Sequence, residues 1–186
     1  GILGAGMMGA GIAYVSAKAG MDVVLKDVTQ EGADKGKAYS KDILDKAISK
    51  KRSTPEKAEA LLSKIEATTD PASMKDCDLV IEAVVENMDI KKKVFAEVET
   101  KVSKNALLTS NTSSLSITSL AASLQNPERF VGVHFFNPAP LMKLVEIIPA
   151  VQTSNDILEK TKKTIDTWGK VTVNVKDTPG FIVNKV

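Results

Sequence analysis

The 186-residue sequence predicts an α/β fold: a doubly wound, mostly parallel sheet with helices on both faces. Three observations carry that expectation. Strand-like and helix-like segments alternate along the whole length, with no internal repeat or low-complexity tract. The run LVIEAVV at 79–85 is nearly continuously apolar, the signature of a central strand buried on both faces. A glycine-rich turn, GAGMMG, separates the first strand-like residues from the first helical ones.

Taken in order, strands are expected at 1–3, 22–27, 65–69, 79–85, 106–110, 130–135, 143–148 and 171–175. A helix follows the glycine turn, slimmed by Ala10, Ala13 and Ala17 where it meets the sheet. Between the second and third strands lie 37 residues, room for two helices, which Thr54 as N-cap and Pro55 at the first helical position divide into 32–53 and 55–64. This inserted hairpin is expected to lean out from the sheet. Asn87 precedes a helix whose stripe is Ile90, Val94, Val98 and Val102, Ser116 caps the next, and Ser154 opens another that Gly169 ends.

Composition narrows the function classes. With 43% apolar residues the chain can build one substantial core, and a net charge of +2 offers no argument for a nucleic-acid partner. Cys77 is the single cysteine, so no disulfide framework exists and a reducing compartment is expected. No apolar run reaches the roughly 20 residues of a membrane helix. A soluble intracellular domain is the natural expectation. Both ends look cut: only three residues stand before the glycine turn, and TPGFIVNKV reads as the first turns of a helix with its body missing.

Gly4, Gly6 and Gly9 have the G-x-G-x-x-G spacing. The first permits a tight turn, the second lets a pyrophosphate approach the backbone, and the third lets helix and strand pack closely, while amides at the helix N-terminus face the phosphates. Asp27 follows eighteen residues after Gly9, near the offset at which a carboxylate accepts from the adenine ribose hydroxyls. An acid there repels the extra phosphate of NADP, and no arginine follows in DVTQ, so NAD is the expected cofactor of a Rossmann-type domain.

The only histidine, His134, lies in VGVHFFNPAPLMKLVEII. Pro138 and Pro140 interrupt the run, and if the flanking strands pair antiparallel about Pro140, residues whose numbers sum to 280 face each other. His134 and Glu146 satisfy that sum. Opposed side chains have Cβ atoms about 4.5 to 5.5 Å apart, so the carboxylate can hold one ring nitrogen and leave the other as a general base. Ser113, in the polar stretch TSNTSS, is a candidate for binding a substrate oxygen. Glu86 and Lys91 could touch a ribose or serve as helix-end charge. The segment 34–53 carries seven basic and three acidic residues, either a solvated face or a wall for an anionic substrate.

GAGMMGAGIA, VVLKD, DLVIEAVVEN, SNTSSLSI, HFFNPAPLMKLVEII and KDTPGFIVN, in that order and spacing, resemble the NAD-binding domain of L-3-hydroxyacyl-CoA dehydrogenases over essentially the whole chain. The resemblance implies oxidation of the 3-hydroxyl of an acyl-CoA with hydride transfer to NAD, in fatty-acid β-oxidation or short-chain acyl-CoA metabolism. It implies that His134 is the base and Glu146 its partner, and that Ser113 and Asn184 contact the reacting substrate or support its site. Asn137 lies beside the histidine. Gly4, Gly6, Met7, Met8, Gly9, Asp27, Glu86, Lys91 and Asn137 then line the dinucleotide, and Lys50 in the basic hairpin contacts CoA; Ile43 stands where some relatives carry a serine. No metal is implied. The expected layout is an NAD-binding domain over 1–178, with the hairpin insertion at about 32–64, and the start of a C-terminal all-α domain at 179–186. In full-length relatives that domain closes the cleft and makes the dimer. The compartment implied is the cytoplasm of a bacterium or the mitochondrial matrix of a eukaryote. Two other functions fit the same residues: a dehydrogenase of a sugar acid or other small hydroxy acid, and a non-catalytic dinucleotide-binding protein. The second has no use for both His134 and Glu146.

Overall fold

The computed structural model describes residues 1–182. Its strands are β1 (Ile2–Leu3), β2 (Val23–Lys26), β3 (Ile65–Thr68), β4 (Leu79–Glu82), β5 (Leu107–Ser110), β6 (Phe130–Phe135), β7 (Leu144–Pro149) and β8 (Val171–Asn174). They form one sheet in the order β3-β2-β1-β4-β5-β6-β7-β8. The pairings from β3 across to β6 are parallel. β7 runs antiparallel to β6, and β8 runs parallel to β7. The chain moves outward from β1 in one direction through β2 and β3, and in the other from β4 onward. The carboxyl ends of β1 and β4 therefore flank a topological switch point, where open α/β sheets place their ligands.

The helices are α1 (Met7–Lys18), α2 (Gln30–Ser49), α3 (Pro55–Leu62), α4 (Met88–Glu99), α5 (Ile117–Ala121) and α6 (Asn155–Asp166). Their starts follow side-chain chemistry. Asn87 Oδ1 accepts from Ile90 N at 3.0 Å, Thr54 Oγ1 from Lys57 N at 3.4 Å, and Ser116 Oγ from Ser119 N at 3.1 Å. α2 starts two residues before the expected position because Thr29 accepts from Gly32 N at 3.0 Å and becomes its cap. Ser154 occupies the cap position of α6 in extended backbone but makes no side-chain cap bond. After α6, Gly169 at φ 75° closes the turn.

Three corrections to the sequence reading are structural. The hairpin of α2 and α3 does not stand clear of the sheet: Ala33, Gly36, Ser40 and Leu44 form a buried stripe, and Leu44 and Ala58 join the core around Ile12, Tyr14 and Ile65. α4 is rotated relative to its apolar stripe. Its buried face centres on Lys91, Phe95 and Val98, and Ile90 is left 42% exposed. The reason is a buried charge, described below, that draws Lys91 inward. At the other end, Pro179 to Ile182 form a turn rather than the first turn of a helix, with Gly180 at φ 74° and Phe181 at φ 54°.

Strand alternation sorts the side chains into a core on each face. Val131, Val133 and Phe135 of β6, with Val145 and Ile147 of β7, pack with Ile12 and Ile165. Phe130 and Ile148 pack on the opposite side with Phe95, Leu108 and Leu120. His134 and Glu146, by their parity, lie on this second face. Phe95 is fully buried and meets Phe130 edge-on, with ring centroids 4.9 Å apart. Phe95→Ala should therefore lower unfolding stability by about 3–5 kcal/mol in denaturant titration; a loss below 1 kcal/mol would show that the α4 face is not a rigid part of the core.

Candidate active site

The glycine turn is built for a phosphate to approach. Gly4 has φ 94°, and a Cβ there would lie 2.8 Å from the Ala83 carbonyl oxygen. A Cβ on Gly9 would lie 1.8 Å from Gly4 O, so α1 can rest on the turn only because that Cβ is absent. Gly6 differs: a Cβ there meets nothing within 4 Å, and the open space lies at the start of α1. α1 has no side-chain cap bond and no acidic residue in its first turn, so the amides of Met7, Met8 and Gly9 head the helix without a competing anion. The turn thus fits the pyrophosphate of a dinucleotide.

Beside it lies a cleft of about 520 Å³, lined by Gly4, Gly6, Asp27, Val85, Ile90 and Val94 among others. Its walls are the outward-rolled edge of α4 and the carboxyl ends of β1, β2 and β4. A larger hollow of about 710 Å³, around Gly1, Cys77 and Trp168, opens at the amino ends of the strands, away from these groups. At the mouth of the cleft Asp27 Oδ2 accepts from Ala5 N at 2.6 Å and Oδ1 from Val28 N at 2.7 Å. The carboxylate expected to meet a ribose therefore also ties the glycine turn to the end of β2.

The polar stretch after β5 is assigned residue by residue. Ser110 donates to Glu82 Oε2 at 2.6 Å, Asn111 Oδ1 accepts from Phe135 N at 2.8 Å, and the Thr112 hydroxyl donates to Glu86. Ser113 and Ser114 give their amides to the same Glu86 oxygen at 2.9 and 3.2 Å. The hydroxyl of Ser113 stays at the surface with no partner among the described residues. Burial alone would raise the pKa of Glu86, but the Thr112 hydroxyl, the Lys91 ammonium and the Ser113 amide outweigh it and hold the carboxyl below the ordinary range.

Lys91 is 1% exposed, with its ammonium 2.6 Å from Glu82, 3.4 Å from Glu86 and 3.2 Å from the Val84 carbonyl. It sits beneath the cleft and organises two carboxylates. Sequence reasoning missed Glu82, which is fully buried within an apolar strand. The signal was available, since a carboxylate in a two-sided core strand must find a cation and donors.

On β6 and β7, His134 and Glu146 stand directly opposite, as the sum rule requires. Nδ1 and Oε2 are 2.8 Å apart, the imidazole side chain is 5% exposed, and the carboxylate is fully buried. An ionised carboxylate only accepts, so the arrangement with Glu146 ionised and the ring neutral has its proton on Nδ1 and its acceptor at Nε2. Phe136 lies 4.6 Å from the imidazole, centroid to centroid. Asn137 is exposed at the head of the β6–β7 loop. Lys170 clamps this loop, donating to Ala139 O at 2.5 Å and Met142 O at 2.8 Å.

Asp27, Glu86, Ser113 and Asn137 thus follow the carboxyl ends of β2, β4, β5 and β6 along one edge of the sheet, and His134 is the penultimate residue of β6, with Glu146 entering from β7. Lys50 is elsewhere, exposed at the C-cap of α2, a helix of about 30 Å. Asn184 lies outside the described residues. Among the described residues no cluster of metal-ligating side chains occurs, and no helix is long and apolar enough to cross a membrane.

The model of the family described as 3-hydroxyacyl-CoA dehydrogenase, NAD binding domain, matches residues 1–178. The chain belongs to that family. It is 45% identical over 185 residues to the fatty acid oxidation complex subunit alpha of Psychrobacter sp. (strain PRwf-1), covering 100% of this chain and 26% of that protein. Among solved structures it is similar to (S)-3-hydroxybutyryl-CoA dehydrogenase from Ralstonia eutropha, with TM-score 0.96 and 40% identity over 100% of this chain and 65% of the other. A 3-hydroxybutyryl-CoA dehydrogenase from Escherichia coli K12 gives TM-score 0.94 and 40% identity, covering 98% of this chain and 39% of that one. The chain therefore spans only part of the length of these relatives. NAD is the family's cofactor, and the glycine cradle, the helix start and the acid at the end of β2 fit it.

Two outcomes follow for this NAD-binding domain. Asp27→Ala should weaken NAD at least about tenfold in titration calorimetry, the scale of a lost hydrogen bond to a charged group, and should narrow the gap between NAD and NADP; equal affinities of the wild type for the two would refute the assignment. Asp177 accepts from Ile117 N, Thr118 N and the Ser116 hydroxyl at 2.8–2.9 Å, and these bonds outweigh the opposing effect of burial to hold its pKa below the ordinary value. A pKa lowered by folding means stabilisation that is complete above the unfolded-state value and lost as pH falls through the folded one. Asp177→Asn should flatten the acid limb of a Tm-against-pH curve, and an unchanged slope would remove Asp177 from the acid response.

Proposed function

We propose that the full-length protein is an NAD-dependent L-3-hydroxyacyl-CoA dehydrogenase, interconverting a 3-hydroxyacyl-CoA and its 3-ketoacyl-CoA. The observation that carries this reading is the His134–Glu146 pair on the cofactor's edge of the sheet, with Nδ1 held by the carboxylate and Nε2 left to take a proton. NAD, when bound, supplies the hydride acceptor for C3 of the substrate. The chain's own part is proton handling and orientation. His134 Nε2 takes the hydroxyl proton as the C–O bond becomes a carbonyl, Glu146 stabilises the imidazolium that results, and the Ser113 hydroxyl orients the reacting oxygen. Asn184 supports the same oxygen in this reading.

The exposed Lys50, Lys51 and Arg52 at the tip of the α2–α3 hairpin supply charge for the anionic CoA carrier. In this reading residues 1–178 form the cofactor-binding domain, and a separate helical domain completes the cleft and the dimer. The substrate in this reading is an acyl-CoA of β-oxidation or short-chain metabolism, as the similarity to the fatty acid oxidation complex subunit alpha and to 3-hydroxybutyryl-CoA dehydrogenase supports.

In a full-length protein His134→Gln should lower kcat by about 10²- to 10⁴-fold, the usual contribution of a positioned base, while NAD affinity stays unchanged. Retained turnover would eliminate His134 as the base. Comparing acetoacetyl-CoA with free acetoacetate under NADH separates the acyl-CoA reading from a small hydroxy-acid dehydrogenase, since only the former loses rate without the carrier.

A further inference from the structure

We propose that Phe181 is a positioning residue for the His134–Glu146 pair, and that the turn at 179–182 completes the site geometry by acting on both members at once. Phe181 is 2% exposed and adopts φ 54°, directly after Gly180 at φ 74°. A bulky residue rarely enters the left-handed region, and it stays there only where its surroundings over-determine it. Here the surroundings are the catalytic pair. The Phe181 ring lies 5.7 Å from the imidazole, centroid to centroid, at 59° between planes. The next peptide group points its Ile182 N–H at Glu146 Oε1, 3.1 Å away, while Oε2 of the same carboxylate holds His134 Nδ1 at 2.8 Å.

The left-handed step is what lets one turn perform both tasks. It delivers the aromatic side chain to the imidazole and the following amide to the carboxylate. Upstream, the turn is fixed by Phe181 N donating to Thr178 O at 2.9 Å and by Asp177 seated at the start of α5. The hydrogen bond to Glu146 alone leaves the imidazole free to tilt about it. Contact with the rings of Phe136 and Phe181 restricts the ring plane, which is the support a positioned base requires. The consequence for turnover rests on the assignment of His134 as base, whereas the geometric claim does not.

His134 is the only histidine in the chain, so its imidazole nitrogens can be read without assignment ambiguity in 15N-labelled protein. In the wild type the neutral ring should appear as one Nδ1-protonated tautomer. In Phe181→Ala the Nε2-protonated population should rise by roughly tenfold, an ordinary coupling between residues in contact. Phe181→Leu, which refills much of the volume without a flat face, should give a smaller rise of the same sign. NAD affinity, read on the same samples, should not change, because the glycine turn is built from β1 and α1. An unchanged tautomer ratio in folded Phe181→Ala overturns the proposal, as does an unchanged ratio in Phe181→Leu if the alanine variant does not fold. A parallel loss of NAD binding also overturns it, because it marks general loosening. In the full-length protein kcat should fall with the KM for NAD unaltered; a shifted tautomer ratio with intact kcat would spare the positioning claim and remove His134 as the base.

Discussion

The antiparallel pairing of β6 with β7 is the constraint from which the chemistry follows. Every earlier neighbour in the sheet is parallel, and a parallel partner would have needed a crossover of a dozen or more residues before it could return. Reversing direction at this point brings Glu146 back opposite His134 within one loop. Direct opposition gives both side chains the same face, and backbone hydrogen bonds rather than side-chain packing set their separation. A slip of one residue would send Glu146 through the sheet to the Val145 and Ile147 side, so the register itself sets the geometry of the pair.

Around that pair the polar groups are arranged as a graded series. Glu82 and Ser110 of the sheet and Lys91 of α4 are buried, and Glu82 accepts from both of the others. Glu86 forms the next layer, half-buried, gathering the amides and hydroxyl of the serine-rich loop while Lys91 offsets its charge from below. Ser113 and Asn137 form the outermost layer, exposed at the surface. A buried ion pair is weak evidence for stability in itself. What it supplies here is a fixed floor for the loop above, because the loop's donors are tied to one carboxylate whose position Lys91 determines.

Much of this was legible in the sequence for identifiable reasons. The proline-broken run around Pro140 predicts the hairpin and, through a simple sum, the partner of the only histidine. The glycine spacing and Asp27 predict the cradle, because steric exclusion at Gly4 and Gly9 leaves few alternatives. The rotation of α4 is not legible from apolar periodicity, which assigns Ile90 inward; Glu82 in its apolar strand signals the need for a cation but does not say that Lys91, nine residues on, supplies it. The hairpin of α2 and α3 was placed correctly along the chain but not in space. Its buried positions are small and polar as much as apolar, Ala33, Gly36 and Ser40, and hydrophobicity does not register them. The turn around Phe181 reads as helix in the sequence because a left-handed aromatic residue has no local signature. It is stabilised only by groups distant along the chain.

The two bonds of Asp27 bear on how such a domain can diverge. Its carboxylate holds the Ala5 amide of the turn, so if it also serves as the ribose acceptor proposed for it, recognition and scaffold share one side chain. A lineage shifting toward a phosphorylated nucleotide has to replace the lost acceptor as well as remove the negative charge. Two changes must arrive together, and that requirement makes the existing preference hard to drift away from.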